Sequence, residues 1–201
     1  MSRGYNKYWT GIGSRETPED VCTLMADVAY KLASRGWTLR SGGAQGADQA
    51  FEKGWWKHHM EREIAEMAKP RAQIFLPWND FENRHHGDGD GAYIVVKDQR
   101  LLEEANDIAS VIHPAWNAKR ADGTPALSRG MKTLHSRNCF QVLGETLDTP
   151  SRFVICYGLP EGRSVKGGTR TACELALNNE IPVFNLYKTE DRERIEKWLG
   201  M

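Results

Sequence analysis

Strand-like and helix-like stretches alternate along nearly the whole chain, and glycine marks the joins. Five short apolar runs read as strands: YWTGIG at 8–13, GWTLRSGG at 36–43, AQIFLPW at 72–78, RFVICYG at 152–158 and IPVFNLY at 181–187. The stretches between them carry a helical period. In TPEDVCTLMADVAYKLASRG, residues Val21, Leu24, Met25, Val28, Ala29, Leu32 and Ala33 form one apolar stripe. Thr17 is the expected cap, Pro18 suits the first helical position, Asp20 closes a capping-box-like pair and Gly36 stops the helix. Further helices are expected over 46–60, about 99–112 and about 126–144, in the stretch led by GGTRTACELALNNE, and in the terminal TEDRERIEKWLG. NDFENRHHGDGDGAYIVVKDQ, from residue 79, is polar and glycine-rich and reads as a long loop. Strands alternating with helices make parallel β-α-β units. The expected fold is therefore α/β, a doubly wound, mainly parallel sheet flanked by helices. Ligands of such sheets sit beyond the carboxyl ends of the strands.

Composition narrows the function classes. A length of 201 residues suits one domain with a sizeable core. Lys+Arg and Asp+Glu both number 27, so no global field draws the chain to nucleic acid or to an anionic membrane, although a local basic groove stays open. No apolar run approaches the roughly 20 residues of a membrane span, and MSRGYNKYWTG has no apolar leader. Cys22, Cys139, Cys156 and Cys173 are scattered without CxxC spacing. That favours reduced, buried thiols over disulfides or zinc, and a cytoplasmic setting. The tryptophans are expected chiefly to pack, with Trp55, Trp56, Trp78 and Trp116 as candidates to line a cleft.

Three turns carry the chemistry. GIGSRETP sets Gly13, Ser14 and Arg15 between the first strand and a helix start, where free N–H groups and partial positive charge attract phosphate. LRSGGAQGADQAF offers Arg40 and Ser41 as donors and Gly42, Gly43, Ala44 and Gly46 for close backbone approach. It is neither a G-x-G-x-x-G fingerprint nor a P-loop. Its Asp48 falls in the first helical turn, where it either meets a ribose hydroxyl or complements the helix dipole. VKGGTRTACELA repeats the order of strand, glycine pair and helix, with Gly167, Gly168, Thr169, Arg170 and Thr171 at the turn and Glu174 about one turn in, expected at the same mouth. Three such turns on one sheet edge point to a nucleotide-like ligand. His58–His59 and His85–His86 read as a helical pair and a solvated-loop pair, and His113 and His135 as residues bordering the cleft. No metal and no cofactor are implied.

With those turns in place, the sequence resembles the Rossmann-like superfamily that unites DNA-processing protein A (Smf/DprA, a recombination mediator) with the Lonely Guy phosphoribohydrolases, often called SLOG. GSRETP resembles its first phosphate turn, and LRSGGAQGADQAF is similar to the SG-x-A-x-G-x-D-x-x-A stretch of DNA-processing protein A. HSRNCFQVLG, with Arg137 and Asn138, resembles the Arg-Asn segment of both branches. GGTRTACE matches the phosphoribohydrolase signature at Gly167, Gly168, Thr171 and Glu174, although Arg170 replaces a glycine and Lys166 a proline. The resemblance runs from about residue 8 to 187 and is nearest to the short DNA-processing-A-like proteins of phages and bacteria. Residues 79–135 are longer and more polar than in a minimal phosphoribohydrolase and are expected to form a lid or specificity element.

The resemblance implies three functions for one pocket. The first is cleavage of the N-glycosidic bond of a nucleoside 5′-phosphate, with Glu174 holding ribose hydroxyls and stabilising an oxocarbenium-like transition state, Arg137 orienting base or phosphate, and Asp48 or Glu52 positioning water. The second is binding of single-stranded DNA. The third is a non-catalytic sensor or sponge for a nucleotide or ADP-ribose-derived signal. By the same resemblance the chain forms a homo-oligomer.

Overall fold

The computed structural model describes residues 6–61 and 71–201; the first five residues of the N-terminal segment lie outside them. The strands are β1 (Tyr8–Gly13), β2 (Thr38–Ser41), β3 (Ala72–Phe75), β4 (Tyr93–Ile94), β5 (Val154–Tyr157), β6 (Pro160–Glu161), β7 (Ser164–Val165) and β8 (Val183–Asn185). Six of them form one sheet in the order β4-β3-β2-β1-β5-β8, parallel throughout, and β6 and β7 make a separate antiparallel hairpin. The helices are α1 (Glu19–Ser34), α2 (Ala47–Glu61), the single turn α3 (Asp88–Gly91), α4 (Gln99–Ile112), α5 (Arg129–Leu143), α6 (Arg170–Asn178) and α7 (Thr189–Leu199).

The strands are short and apolar on both faces because helices cover both sides of the sheet. Along β1, Trp9 joins the core beneath α1, α2 and α7, whereas Ile12 joins the core beneath α4, α5 and α6. Along β5, Ile155 faces the first core and Val154 and Cys156 the second. The period-two alternation thus feeds two hydrophobic layers, as the doubly wound reading requires. Chain order moves outward from β1 through β2, β3 and β4, then returns to β5 on the other side of β1. The gap beyond the carboxyl ends of β1 and β5 is the topological switch point, where a crevice opens.

Several local expectations change. Helix α1 begins at Glu19, with Pro18 at the cap position and no side-chain cap. The Thr17 hydroxyl instead donates to Ser14 O at 2.7 Å, tightening the turn before the helix. The polar loop from residue 79 contains α3 and also β4, which pairs Ile74 with Tyr93 and Phe75 with Ile94 and makes the sheet six strands rather than five. The third glycine turn follows the β6–β7 hairpin, not a strand of the parallel sheet. Trp55 is packed in the core and Trp116 is buried, while Trp56 and Trp78 are exposed.

Candidate functional site

A cleft of about 850 Å³ lies at the switch point, within the range of small-molecule sites. Its floor is the end of β1 (Ile12, Gly13) and Gly158 after β5. One wall is the first turn, Ser14 and Arg15; the opposite wall is Lys166, Gly167, Gly168, Thr169 and Arg170. The third side comes from α5 and the segment before it: Leu127, Met131, Leu134, His135, Arg137, Asn138 and Gln141, with His113 and Pro114 at the end of α4. Leu134, Arg137, Asn138 and Gln141 recur at i, i+3, i+4 and i+7, one helical face aimed at the cleft. Gln141 is a site residue that the motif reading passed over, and that helical period in HSRNCFQVLG was its signal.

Arg137 is the centre of the α5 side. It is 7% exposed, and its guanidinium donates to Gly42 O at 2.6 Å and Phe75 O at 3.1 Å. The Gln141 amide, oriented so that both of its ends are satisfied, accepts from Arg137 at 3.2 Å and from Gly42 N at 2.9 Å and donates to Asn138 Oδ1 at 3.0 Å. Asn138 Nδ2 in turn donates to Gly168 O at 2.8 Å, tying α5 to the third turn. Burial lowers the Arg137 pKa to about 10; nearby Asp48 opposes that fall and Arg15 adds to it. Its Nε is buried with no partner among the described residues.

Asp48 links the first two turns. Its carboxylate accepts from Gly13 N at 3.1 Å and Ala44 N at 3.4 Å. Burial raises its pKa to about 6, against the opposing pull of Arg137 and the two backbone donors. Gly46, at φ +79°, brings the second turn against Ser14 O and Arg15 O, and Ala47 N donates to Ser14 O at 3.2 Å.

The expected phosphate residues divide. Gly13, Ser14, Arg15, Ala44, Asp48, Arg137, Asn138, Gly167, Gly168, Thr169 and Arg170 line the cleft. Arg40 does not. It is 2% exposed, donates to Gln73 Oε1 and Thr149 O and stacks on the Tyr8 ring at 3.9 Å. It points away from the crevice because it sits in the interior of β2, where its place on the pleat aims it across the sheet toward residue 149. Ser41 Oγ donates to Gly11 O at 2.7 Å, a link between β1 and β2. Gly42, Gly43 and Gly46 serve packing rather than the cleft wall: a Cβ on Gly42 would stand 1.5 Å from an Arg137 nitrogen. Thr171 is fully buried behind the wall, its hydroxyl 2.9 Å from His135 Nδ1.

Glu174, expected at the mouth, does not line the cleft. Its Oε2 accepts from Arg163 at 2.7 and 3.1 Å. The rotation of α6 explains this. Ala172, Cys173, Leu175 and Ala176 are the buried stripe, which turns Glu174 toward the hairpin arginine. The water-positioning alternative, Glu52, is also committed elsewhere, accepting from Arg84 at 2.9 Å and from the Tyr93 hydroxyl.

The histidines do border the cleft. The His113 and His135 rings lie 4.1 Å apart. His113 Nδ1 accepts from Ala115 N at 3.2 Å, which places its proton on Nε2. Burial, then the neighbouring His113 and Arg137, push the His135 pKa down to about 4; burial and then Arg170 lower His113. Both rings are therefore neutral at physiological pH, and the cleft's positive charge resides on its arginines and lysine. Among the described residues no group of side chains suits a metal ion.

Asp48 and His135 set opposing pH dependences. The folded Asp48 pKa of about 6 exceeds its ordinary 3.8, so its contribution to stability grows as pH falls through 6. The folded His135 pKa of about 4 is below its ordinary 6.5, so its contribution is lost as pH falls from 6.5 towards 4. Asp48→Asn removes the first and keeps the second. Its stability is expected to fall more steeply than the parent's on acidification from about pH 6.5 to 4.5. Urea midpoints across that range measure this, and equal slopes would contradict it.

No family model and no curated protein matches this chain. Among solved structures, it is similar to DNA processing protein A from Helicobacter pylori, described for its single-stranded DNA binding mode, with 16% identity, a TM-score of 0.53, and coverage of 97% of this chain and 79% of that one. At that identity the likeness is one of fold, and the chain has a Rossmann-like α/β fold similar to that of DNA processing protein A.

Proposed function

We propose that this chain binds a phosphorylated nucleotide in the switch-point cleft and holds it without cleaving it. The carrying observation is the convergence of Arg15, Lys166 and Arg170 with two glycine-bearing turns around one crevice. Arg15 and Lys166 make no ion pair among the described residues, whereas Arg170 is held by Glu161. Thr169 and Arg170, which line the cleft, begin α6, and the partial positive charge of that helix start suits an anion. Leu127, Met131, Leu134 and Leu159 supply an apolar wall for a base. The segment that provides the first three belongs to the polar insertion, which on this reading sets specificity.

Holding is favoured over cutting because Glu174 is paired with Arg163 outside the cleft. The carboxylates that line it are Glu16, at the exposed rim, and Asp48, which is spent on two backbone N–H groups. Isothermal titration with a panel of nucleoside mono- and diphosphates tests binding. Mass spectrometry of ligand released on denaturation tests integrity: intact nucleotide is expected, and free base with sugar phosphate would overturn the holding model. Arg15→Ala and Lys166→Ala are each expected to weaken nucleotide binding about tenfold, the effect of one lost charged hydrogen bond. Glu174→Gln is expected to leave that affinity within about twofold. A large loss of affinity in this variant would return Glu174 to the site.

A second reading has a nucleotide of a single DNA strand in the same cleft. The fold likeness to a protein described as binding single-stranded DNA favours it. Fluorescence anisotropy with a labelled oligonucleotide separates the two. Strand binding should weaken steeply with salt, and an oligonucleotide that fails to bind at low salt would remove this reading.

A further inference from the structure

The polar side chains on the α4–α5 side of the cleft are mostly bound into the fold. Arg137 donates to Gly42 O and Phe75 O, Asn138 donates to Gly168 O, and Gln141 joins both to Gly42 N. His135 Nδ1 is held 2.9 Å from the Thr171 hydroxyl. His113 differs. It follows the last turn of α4, where its N–H donates to Ala109 O at 2.9 Å and its carbonyl accepts from Trp116 N at 3.0 Å. The ring is fixed as well. Nδ1 accepts from Ala115 N at 3.2 Å, and the ring centroid lies 4.1 Å from that of His135. A proton added to Nδ1 would break the Ala115 bond, and burial and then the Arg170 charge hold the pKa down. The neutral ring therefore carries its one proton on Nε2, an edge that only donates. His113 lines the cleft in company with Leu127, Met131 and Leu134, whose side chains hold no nitrogen or oxygen.

We infer that His113 selects the base of the bound nucleotide, accepting bases that present a ring carbonyl and rejecting those that present an amino group in its place. The inference rests on the cleft reading and names the ligand class within it. A nucleobase laid on the apolar wall meets His113 as a lone donor. Guanine and hypoxanthine carry a carbonyl oxygen where adenine carries an amino group, and uracil and thymine carry one where cytosine has an amino group. The carbonyl accepts from Nε2–H. The amino group instead sets donor against donor, and both lose water without gaining a partner. That is how a hydrogen-bonding site rejects an analogue. The carboxylates do not supply an acceptor for an amino base, since Asp48 accepts from Gly13 N and Ala44 N and Glu16 sits at the exposed rim. The donor is preorganised, because the ring is held before any ligand arrives. A contact from Nε2–H to the phosphate is disfavoured, since a neutral ring competes there with Arg15, Lys166 and Arg170.

The test uses the full chain and two ligands that differ in this group, inosine 5′-monophosphate and adenosine 5′-monophosphate. Titration calorimetry is expected to show about tenfold tighter binding of the inosine nucleotide. His113→Phe keeps a ring without the donor. It should bring the two affinities within about twofold of each other, with the adenosine nucleotide bound as in the parent. His113 is only partly buried, so this variant should fold as the parent does, and thermal melting checks that. NMR of the imidazole needs no variant: the His113 Nε2 proton should move downfield with the inosine nucleotide and not with the adenosine one. Equal affinities in the parent, or a preference for the adenosine nucleotide, overturn the inference and leave the cleft reading standing. An equal loss of both ligands in His113→Phe does the same, since it would put the ring on the phosphate. No saturable binding of either nucleotide at millimolar concentration overturns the cleft reading, and this inference with it.

Discussion

Arg137→Met should destabilise the protein by about 3–5 kcal/mol, the usual cost of breaking a buried charged network on one side. The arginine is a clamp before it is a ligand contact. It joins α5 to the carboxyl ends of β2 and β3 by donating to Gly42 O and Phe75 O. Methionine fills much of the same volume but leaves both carbonyls unpaired, and each buried unsatisfied group costs about 1–3 kcal/mol. It also removes the cation that opposes the rise in the Asp48 pKa, so Asp48 is expected to take up its proton at higher pH in the variant. Urea unfolding at pH 7 measures the first effect, and the carboxyl resonance of Asp48 followed by NMR measures the second. Arg137→Lys keeps a charge but cannot span two carbonyls as a planar fork, so it should recover only part of the loss. A variant as stable as the parent would show that the clamp is dispensable.

Gly46→Val is the second large effect, about 3 kcal/mol or more, from backbone strain and overpacking together. Gly46 has φ +79°, and a Cβ there would lie 2.5 Å from Ser14 O and 2.6 Å from Arg15 O. Both neighbours are backbone, so neither yields cheaply, and a β-branched residue is the poorest choice for that conformation. The displaced turn is the one bearing Ser14 and Arg15, so nucleotide affinity should fall with stability. Thermal melting and titration calorimetry on the same sample read both. If only stability falls, the first turn contributes little to the cleft.

Arg137 and Gly46 hold the fold together, whereas the sequence marked both for a ligand. Gly42, Gly43 and Gly46 read as a phosphate cradle, and in the fold Gly42 instead lets Arg137 approach the backbone, Gly46 the first turn, and Gly43 packs against Ile74 and Leu76. Glycine signals that something comes close, and the sequence does not say whether that is a ligand or another part of the chain. Arg40 shows the same ambiguity: an arginine beside a glycine pair at a strand end suits an anion, yet this one is buried against Gln73, Thr149 and Tyr8.

Local chemistry was enough for the architecture. The apolar runs of β1, β2, β3, β5 and β8, the stripe of α1 and the glycine joins are short-range patterns, and strand–helix alternation leaves few ways to bury them. The first turn was legible as a cleft wall for the same reason, since a turn after a strand and before a helix falls on the carboxyl edge of the sheet, whereas the third reaches the cleft by way of the β6–β7 hairpin. Strand β4 was missed because AYIVV is a brief apolar patch after GDGDG, and two residues become a strand only when β3 is there to pair with them. Glu174 depended on events far along the chain. The burial of Ala172 and Cys173 sets the rotation of α6, and the β6–β7 hairpin delivers Arg163 to meet the carboxylate. The sequence by itself determined which elements form and which edge of the sheet is chemically armed, because both follow from periodicities a few residues long. Only the tertiary structure decided which armed residues face the cleft, because a side chain's partner is set by contacts between residues tens of positions apart, such as Arg137 and Gly42 or Asp48 and Gly13.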